Sequence, residues 1–209
     1  MKDQLKQAVI DGQGDMVLAL TQALLATGVS AREILDEALL PAMAVVGERM
    51  RSGECFIPEV LLSARTMQSA LELLKPHMVE GDSASLGTVV IGTVEGDLHD
   101  IGKNLVAMLL QGAGFEVVNL GTGVTAAQFV AAVREHDAQI IGMSALLTTT
   151  LPRMKETIAA LTAAGLRDTV KVMVGGAPVT AAYAAEVGAD GYGANAAMAV
   201  ERAQNLLEA

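Results

Sequence analysis

Asp97 and His99 stand two residues apart in Gly96-Asp97-Leu98-His99-Asp100-Ile101-Gly102, directly after the β-branched run Thr88-Val89-Val90-Ile91-Gly92-Thr93-Val94. Imidazole is a common metal ligand, and its second nitrogen usually donates to a carboxylate or carbonyl that fixes the tautomer. Asp-x-His supplies such a carboxylate beside the ring, and Gly102 lets the chain turn tightly or approach something bulky. The same residues admit a plainer reading, in which Asp97 or Asp100 caps the following helix and His99 is merely exposed. The other two histidines, His77 and His136, fall at predicted helix ends, where a cation complements the dipole. A structural zinc site wants about four protein ligands from Cys, His or carboxylate. His99 has no obvious companions, and Cys55 is the one cysteine. A metal on His99 therefore needs its remaining positions held by something other than protein, as a macrocycle would.

Two other segments share this placement after an apolar run. Ser144-Ala145-Leu146-Leu147-Thr148-Thr149-Thr150 is rich in hydroxyls. A helix N-cap with Pro152 in the first turn uses part of the run. The other hydroxyls are free to bond a phosphate, a ribose, an amide or a carboxylate. Gly175-Gly176 removes side chains where a planar ligand could lie against backbone, or else makes a tight strand–helix turn. Gly121-Thr122-Gly123 is not a GxGxxG fingerprint and no GxxxxGK[ST] occurs, so dinucleotide and nucleoside-triphosphate readings lack motif support.

These segments need a sheet to bring them together. Runs at 88–94, 115–120, 139–144 and 170–174, with a short fifth within 188–193, alternate with helical spacing at 102–112, 125–135, 152–164, 178–187 and 195–207. That alternation predicts a doubly wound, Rossmann-like parallel five-stranded sheet; it leaves strand order open, with 2-1-3-4-5 as the expectation. Ligands bind such sheets beyond the carboxyl ends of the strands, so the three segments should converge on one rim. The preceding 80 residues read as helix. Leu5, Val9 and Ile10 form a stripe ended by Asp11-Gly12, and Val17, Leu20, Leu24 and Leu25 form a second, stopped by Gly28. Ser30-Ala31-Arg32-Glu33 has capping-box spacing, Pro41 should kink or restart the third helix, and Pro58 suits the first turn of a fourth. The expected organisation is α/β: a four-helix cap bundle over 1–80, a linker at 81–86 and the sheet domain over 87–209.

Composition narrows the function classes. Of the 209 residues, 18% are charged, and the net charge is −10 with no Lys/Arg run, a poor match to DNA or an anionic membrane. Aromatic residues make up 2%, too few for base-stacking platforms. The N-terminus is not a signal peptide, since Lys2, Asp3 and Lys6 interrupt its apolar residues, and no apolar stretch reaches spanning length. One cysteine fits a reducing cytoplasm. No nucleic-acid or membrane partner is expected.

Gly96-Asp97-Leu98-His99-Asp100-Ile101-Gly102-Lys103-Asn104 closely resembles the cobalamin-binding signature of methionine synthase and of the corrinoid proteins of anaerobic methyltransferase systems. That pattern is D-x-H-x-x-G, then S-x-L, then G-G; here these are Asp97/His99/Gly102, Ser144/Leu146 and Gly175/Gly176. The first half is similar to the helical cap of methyl-transferring members through Phe56-Ile57-Pro58-Glu59-Val60 and Ser63-Ala64-Arg65, so the resemblance covers nearly the whole chain. It implies that His99 replaces the cofactor's own base as lower axial ligand to cobalt, while the displaced base enters a slot in the sheet domain. Asp97 would bond the far nitrogen of His99, and Thr150 would complete a His–Asp–hydroxyl relay. Ser144 and Thr148 would bond the corrin or the tail. Gly175, Gly176 and Ala196 would line the slot, Gly96, Leu98, Asp100, Ile101 and Leu146 would complete the contacts, and Phe56 would cover the methyl face. Gly176→Val should then weaken cofactor binding and leave the apoprotein folded. Thr149-Thr150 departs from the Pro-Ser expected there. Pro41 lies near where methionine synthase has an acidic cap residue, so no polar cap contact is assigned.

The function implied is that of a methyl-carrying corrinoid protein binding methylcobalamin. A substrate-specific methyltransferase loads it, a second methyltransferase using tetrahydrofolate or coenzyme M unloads it, and a reductive activator maintains it. The chain itself has no second catalytic half, so it reads as a subunit of such a system. The alternatives are the cobalamin subunit of an adenosylcobalamin mutase, a cobalamin-sensing regulator, and a response-regulator or flavin domain on the same fold. The cap argues against the first, and no DNA-binding helix-turn-helix supports the second.

Overall fold

The computed structural model describes residues 1–78 and 85–208. The chain forms two compact units, Met1–Leu86 with Met108–Gly114, and Gly87–Ala107 with Phe115–Ala209. The expected 81–86 linker falls largely on 81–84, outside the described residues.

The first unit is helical: α1 (Lys2–Ile10), α2 (Gly14–Ala26), α3 (Ala31–Ile34), α4 (Leu40–Ser52) and α5 (Ile57–Leu74). Ser30 caps α3, its hydroxyl accepting from the Glu33 amide at 3.1 Å. Pro41 lies in the first turn of α4, and the preceding residues Leu35–Leu39 form a π turn. A proline has no amide to give the turn before it, and the widened turn lets the helix restart without breaking direction. Pro58 holds the first turn of α5, where Glu59 Oε2 accepts the Phe56 amide at 2.8 Å. Leu5, Ile34, Leu39, Met67 and Leu74 form this unit's buried centre.

The second unit holds β1 (Thr88–Thr93), β2 (Glu116–Asn119), β3 (Ile140–Ser144), β4 (Lys171–Gly175) and β5 (Gly191–Gly193), all parallel, in the order β2-β1-β3-β4-β5. The strands alternate with α6 (Ile101–Gly112), α7 (Ala126–Glu135), α8 (Pro152–Ala163), α9 (Ala181–Val187) and α10 (Ala196–Glu208). Val90, Ile141 and Val172 are fully buried at the sheet's centre, as a sheet covered on both faces requires. α9 starts three residues later than its spacing predicts. Thr180 caps it by accepting the Tyr183 amide at 3.1 Å, while Gly176–Val179 closes a turn of its own. Among the described residues no helix is long and apolar enough to cross a membrane.

Register aligns the strand ends. Thr93 pairs with Ser144, Ser144 with Gly175, and Gly175 with Gly193, so the carboxyl ends of β1, β3, β4 and β5 form one row. The segments singled out by chemistry leave the sheet from this row.

α6 belongs to both units, its last turn packing with the helical one. Gly112 explains how: a Cβ there would come 2.7 Å from the Cβ of Ala64 on α5, so only glycine allows this approach.

Candidate functional site

Asp97 is wholly buried at the end of β1 and gathers five donors. Oδ1 accepts from His99 Nδ1 at 2.7 Å and from the His99 amide at 3.1 Å. Oδ2 accepts from the amides of Leu146 at 2.7 Å and Leu147 at 3.1 Å, and from Thr150 Oγ1 at 3.0 Å. Burial alone would push this carboxyl's pKa up. The bonds from the Leu146 amide, the His99 ring and amide, and the Leu147 amide outweigh burial and hold it well below the usual carboxylate range. Asp97 thus remains an acceptor and does not cap α6. Asp100 stands before α6, where its carbonyl accepts the Asn104 amide and its Oδ2 accepts Asn104 Nδ2 at 2.9 Å.

A carboxylate that only accepts fixes the histidine tautomer. Nδ1 carries the proton, and the Nε2 lone pair is left free on a side chain that is 52% exposed. Around it Leu98 is 78% exposed and Ile101 86%, with Leu146 and Leu147 also exposed. An open imidazole nitrogen beside large apolar side chains is a poor arrangement for water and a suitable one for a flat, largely apolar ligand. Among the described residues no group of three or more His, Cys, Asp or Glu could hold a metal ion. His77 and His136 are exposed at the ends of their helices. The donor set therefore fits a metal that brings its other ligands with it, as a corrin does.

The hydroxyl run divides by role. Thr150 is buried and placed between two acceptors, Asp97 Oδ2 and the Leu147 carbonyl at 2.8 Å, which share its one hydrogen. Threonine here supplies the hydroxyl despite the Thr-Thr departure from the pattern. Thr148 is exposed, and Ser144 is half-buried in the row of strand ends. Gly175 and Gly176 follow at the end of β4, and Ala196 opens α10. Gly96, at φ +82°, starts the loop, and Gly102 lies in the first turn of α6 with open space where a Cβ would point. Phe56, 70% exposed, precedes α5 on the helical unit.

Gly176 requires a correction. Its φ is +128°, and a Cβ there would overlap the Ala145 carbonyl oxygen. Backbone packing by itself demands glycine. Gly176→Val is therefore expected to destabilise the apoprotein by about 1–3 kcal/mol, read as a lower melting temperature without any ligand; an unchanged melt would return the position to ligand binding alone.

Sequence reasoning missed Thr93 and the Leu147 amide. Thr93 Oγ1, buried at the end of β1, donates to the His99 carbonyl at 2.9 Å. The available signal was a single hydroxyl at the end of an apolar strand. The amide has no sequence signal at all.

A family profile described as a B12 binding domain matches residues 87–201, and a second of the same description matches 1–75. A corrinoid protein of Desulfitobacterium hafniense is 43% identical over 208 residues, covering 98% of this chain and 96% of the relative. The dimethylamine corrinoid protein of Methanosarcina barkeri is 46% identical over 206 residues, with the same coverage. Among solved structures, a cobalamin-binding protein from Desulfitobacterium hafniense superposes with a TM-score of 0.81 at 36% identity, covering 99% of this chain and 98% of that one. A chain of the methanol:cobalamin methyltransferase complex from Methanosarcina barkeri superposes with a TM-score of 0.86 at 32% identity, covering 98% of this chain and 78% of that one.

Proposed function

Because the chain belongs to the corrinoid proteins built on the B12 binding domain, we propose that it carries a methyl group on a bound corrinoid between methyltransferases. The observation that carries this reading is His99, an imidazole with Nδ1 held by a buried carboxylate and Nε2 free. The corrinoid supplies a cobalt that accepts and releases a methyl group; the protein supplies position and ligand tuning.

His99 Nε2 would hold the cobalt. Asp97 orients the ring and fixes its tautomer. Asp97 stays ionised and accepts the hydrogen bond from His99 Nδ1 that holds the ring in place. Leu98, Ile101 and Leu146, with Gly96, Asp100 and Gly102, would lie against the macrocycle. Ser144 and Thr148 would bond its amides or tail. Gly175, Gly176 and Ala196 would line the slot for the displaced base, Gly176 through its backbone. Phe56 would shield the methyl face.

Methyltransferases are the partners. One would load the methyl group and a second, using tetrahydrofolate or coenzyme M, would remove it; a reductive activator would restore the cofactor after oxidation. Relatives are named for dimethylamine and trimethylamine, and a solved relative for methanol. The donor's identity is thus a property of the loading partner. A reducing cytoplasm suits the one free cysteine, Cys55.

Hydroxocobalamin added to apoprotein should give a stoichiometric red complex whose spectrum shows imidazole ligation, and the reduced complex should accept methyl groups from a cognate methyltransferase. Failure to bind would overturn the reading, and an adenosyl upper ligand in protein isolated from its source would favour the mutase alternative. Phe56→Ala should leave folding unchanged, since the ring is exposed, and speed photolysis of the methylated protein under anaerobic light. An equal rate would remove Phe56 from the methyl face.

A further inference from the structure

Lys103, in the first turn of α6, is 3% exposed. Its Nζ donates to Asn104 Oδ1 at 2.6 Å and to Asn119 Oδ1 at 2.7 Å, and it makes no ion pair with a described carboxylate. Burial pushes this ammonium's pKa down, and the charge of Asp100 only partly opposes that. A helix N-terminus also disfavours a cation. A buried lysine held only by amides is costly, and a costly residue is retained for what it holds in place.

The amide orientations follow from their partners. Asn104 Nδ2 donates to Asp100 Oδ2, and Asn119 Nδ2 donates to Asn104 Oδ1 at 3.0 Å, so both amide oxygens are left to accept from Lys103. Asn119 Oδ1 also accepts the Gly121 amide at 3.1 Å. The Gly121 carbonyl accepts the Thr93 amide at 3.0 Å, and the Thr93 hydroxyl donates to the His99 carbonyl. Hydrogen bonds, joined through the residues Gly121 and Thr93, therefore link the ammonium by way of the end of β2 and the end of β1 to the main chain of His99.

We infer that Lys103 is a positioning residue for His99, fixing its main chain through Asn119, Gly121 and Thr93 while Asp97 fixes its ring. This rests on the proposed corrinoid function. Ligation needs the ring held within about half an ångström of its productive place, and a second, independent anchor on the backbone provides that.

The test adds hydroxocobalamin to the apoproteins of wild type, Lys103→Met, Asn119→Ala and the double variant, and reads the fraction with imidazole on cobalt from the visible spectrum. Each single variant should raise the imidazole-free to imidazole-bound ratio about tenfold. The double variant should add little, because both cut one path. Asn119→Asp keeps an acceptor for Lys103 and Gly121 and should retain wild-type ligation. Wild-type ligation in both single variants, with only lower melting temperatures, overturns the inference and makes Lys103 purely structural. Should Lys103→Met fail to fold, Asn119→Ala, at an exposed position, decides on the same criterion. A wild type without imidazole ligation overturns the corrinoid function itself, whatever the variants do.

Discussion

His99→Gly protein should still take up hydroxocobalamin, but the cobalt spectrum should change to that of a corrinoid without a protein imidazole, and free imidazole added to the sample should restore the ligated spectrum. The expectation follows from Nε2 standing free at the rim, and from the space a missing ring leaves above Asp97. Loss of an outer partner of a metal-bound histidine typically costs about 10–100-fold in affinity, and loss of the ligand itself should cost at least as much. Binding should survive on the proposed tail slot and the proposed apolar contacts of Leu98, Ile101 and Leu146. A spectrum identical to wild type would sink the ligand assignment. Complete loss of binding would show that the tail slot contributes little.

Asp97→Asn should be the most damaging single change to the apoprotein. An asparagine offers one accepting oxygen and turns an NH2 group toward donors that need an acceptor. Either way it faces, at least two of the five bonds are lost inside a site with no exposure. Removing one side of a buried charged arrangement costs about 3–5 kcal/mol, which at this chain length is a fall of roughly 10 °C in melting temperature. The pH dependence has a definite sign. The folded pKa of Asp97 lies below its unfolded value of about 3.9, so the ionised group's contribution is complete above that value and is lost as pH falls toward the folded one. Melting curves should separate wild type and variant fully at pH 7 and draw together below about pH 4. A constant gap down to pH 3 would mean that the variant's cost is steric and not ionic.

The sheet domain was legible because its strands are apolar, β-branched and separated by helical spacing. A parallel sheet buried on both faces needs that composition. The alternation leaves strand order open, and the expected order is the one observed; the resemblance supplied the site residues. What escaped notice depends on geometry that has no residue type. The Leu146 and Leu147 amides hold Asp97 as main-chain groups, and any side chain could sit on them. Thr93 reaches His99 across its own strand end, six residues apart, and the inferred link from Lys103 depends on the ends of β1 and β2 lying side by side. That packing by itself demands glycine at 176 is equally invisible, because the sequence does not show the Ala145 carbonyl beside it.

The last turn of α6 bears on how this chain can be taken apart. Met108–Gly114 follows β1 in sequence yet is packed with residues of the first unit, Gly112 lying against Ala64. A cut made between Met78 and Ser85 would sever the polypeptide without severing that association, and the two fragments should travel together on a sizing column. Separately expressed, they should find each other in solution. A chimera exchanging the helical unit between relatives would have to carry 108–114 along with it, or rebuild the glycine contact, because the exchangeable piece is discontinuous in the gene.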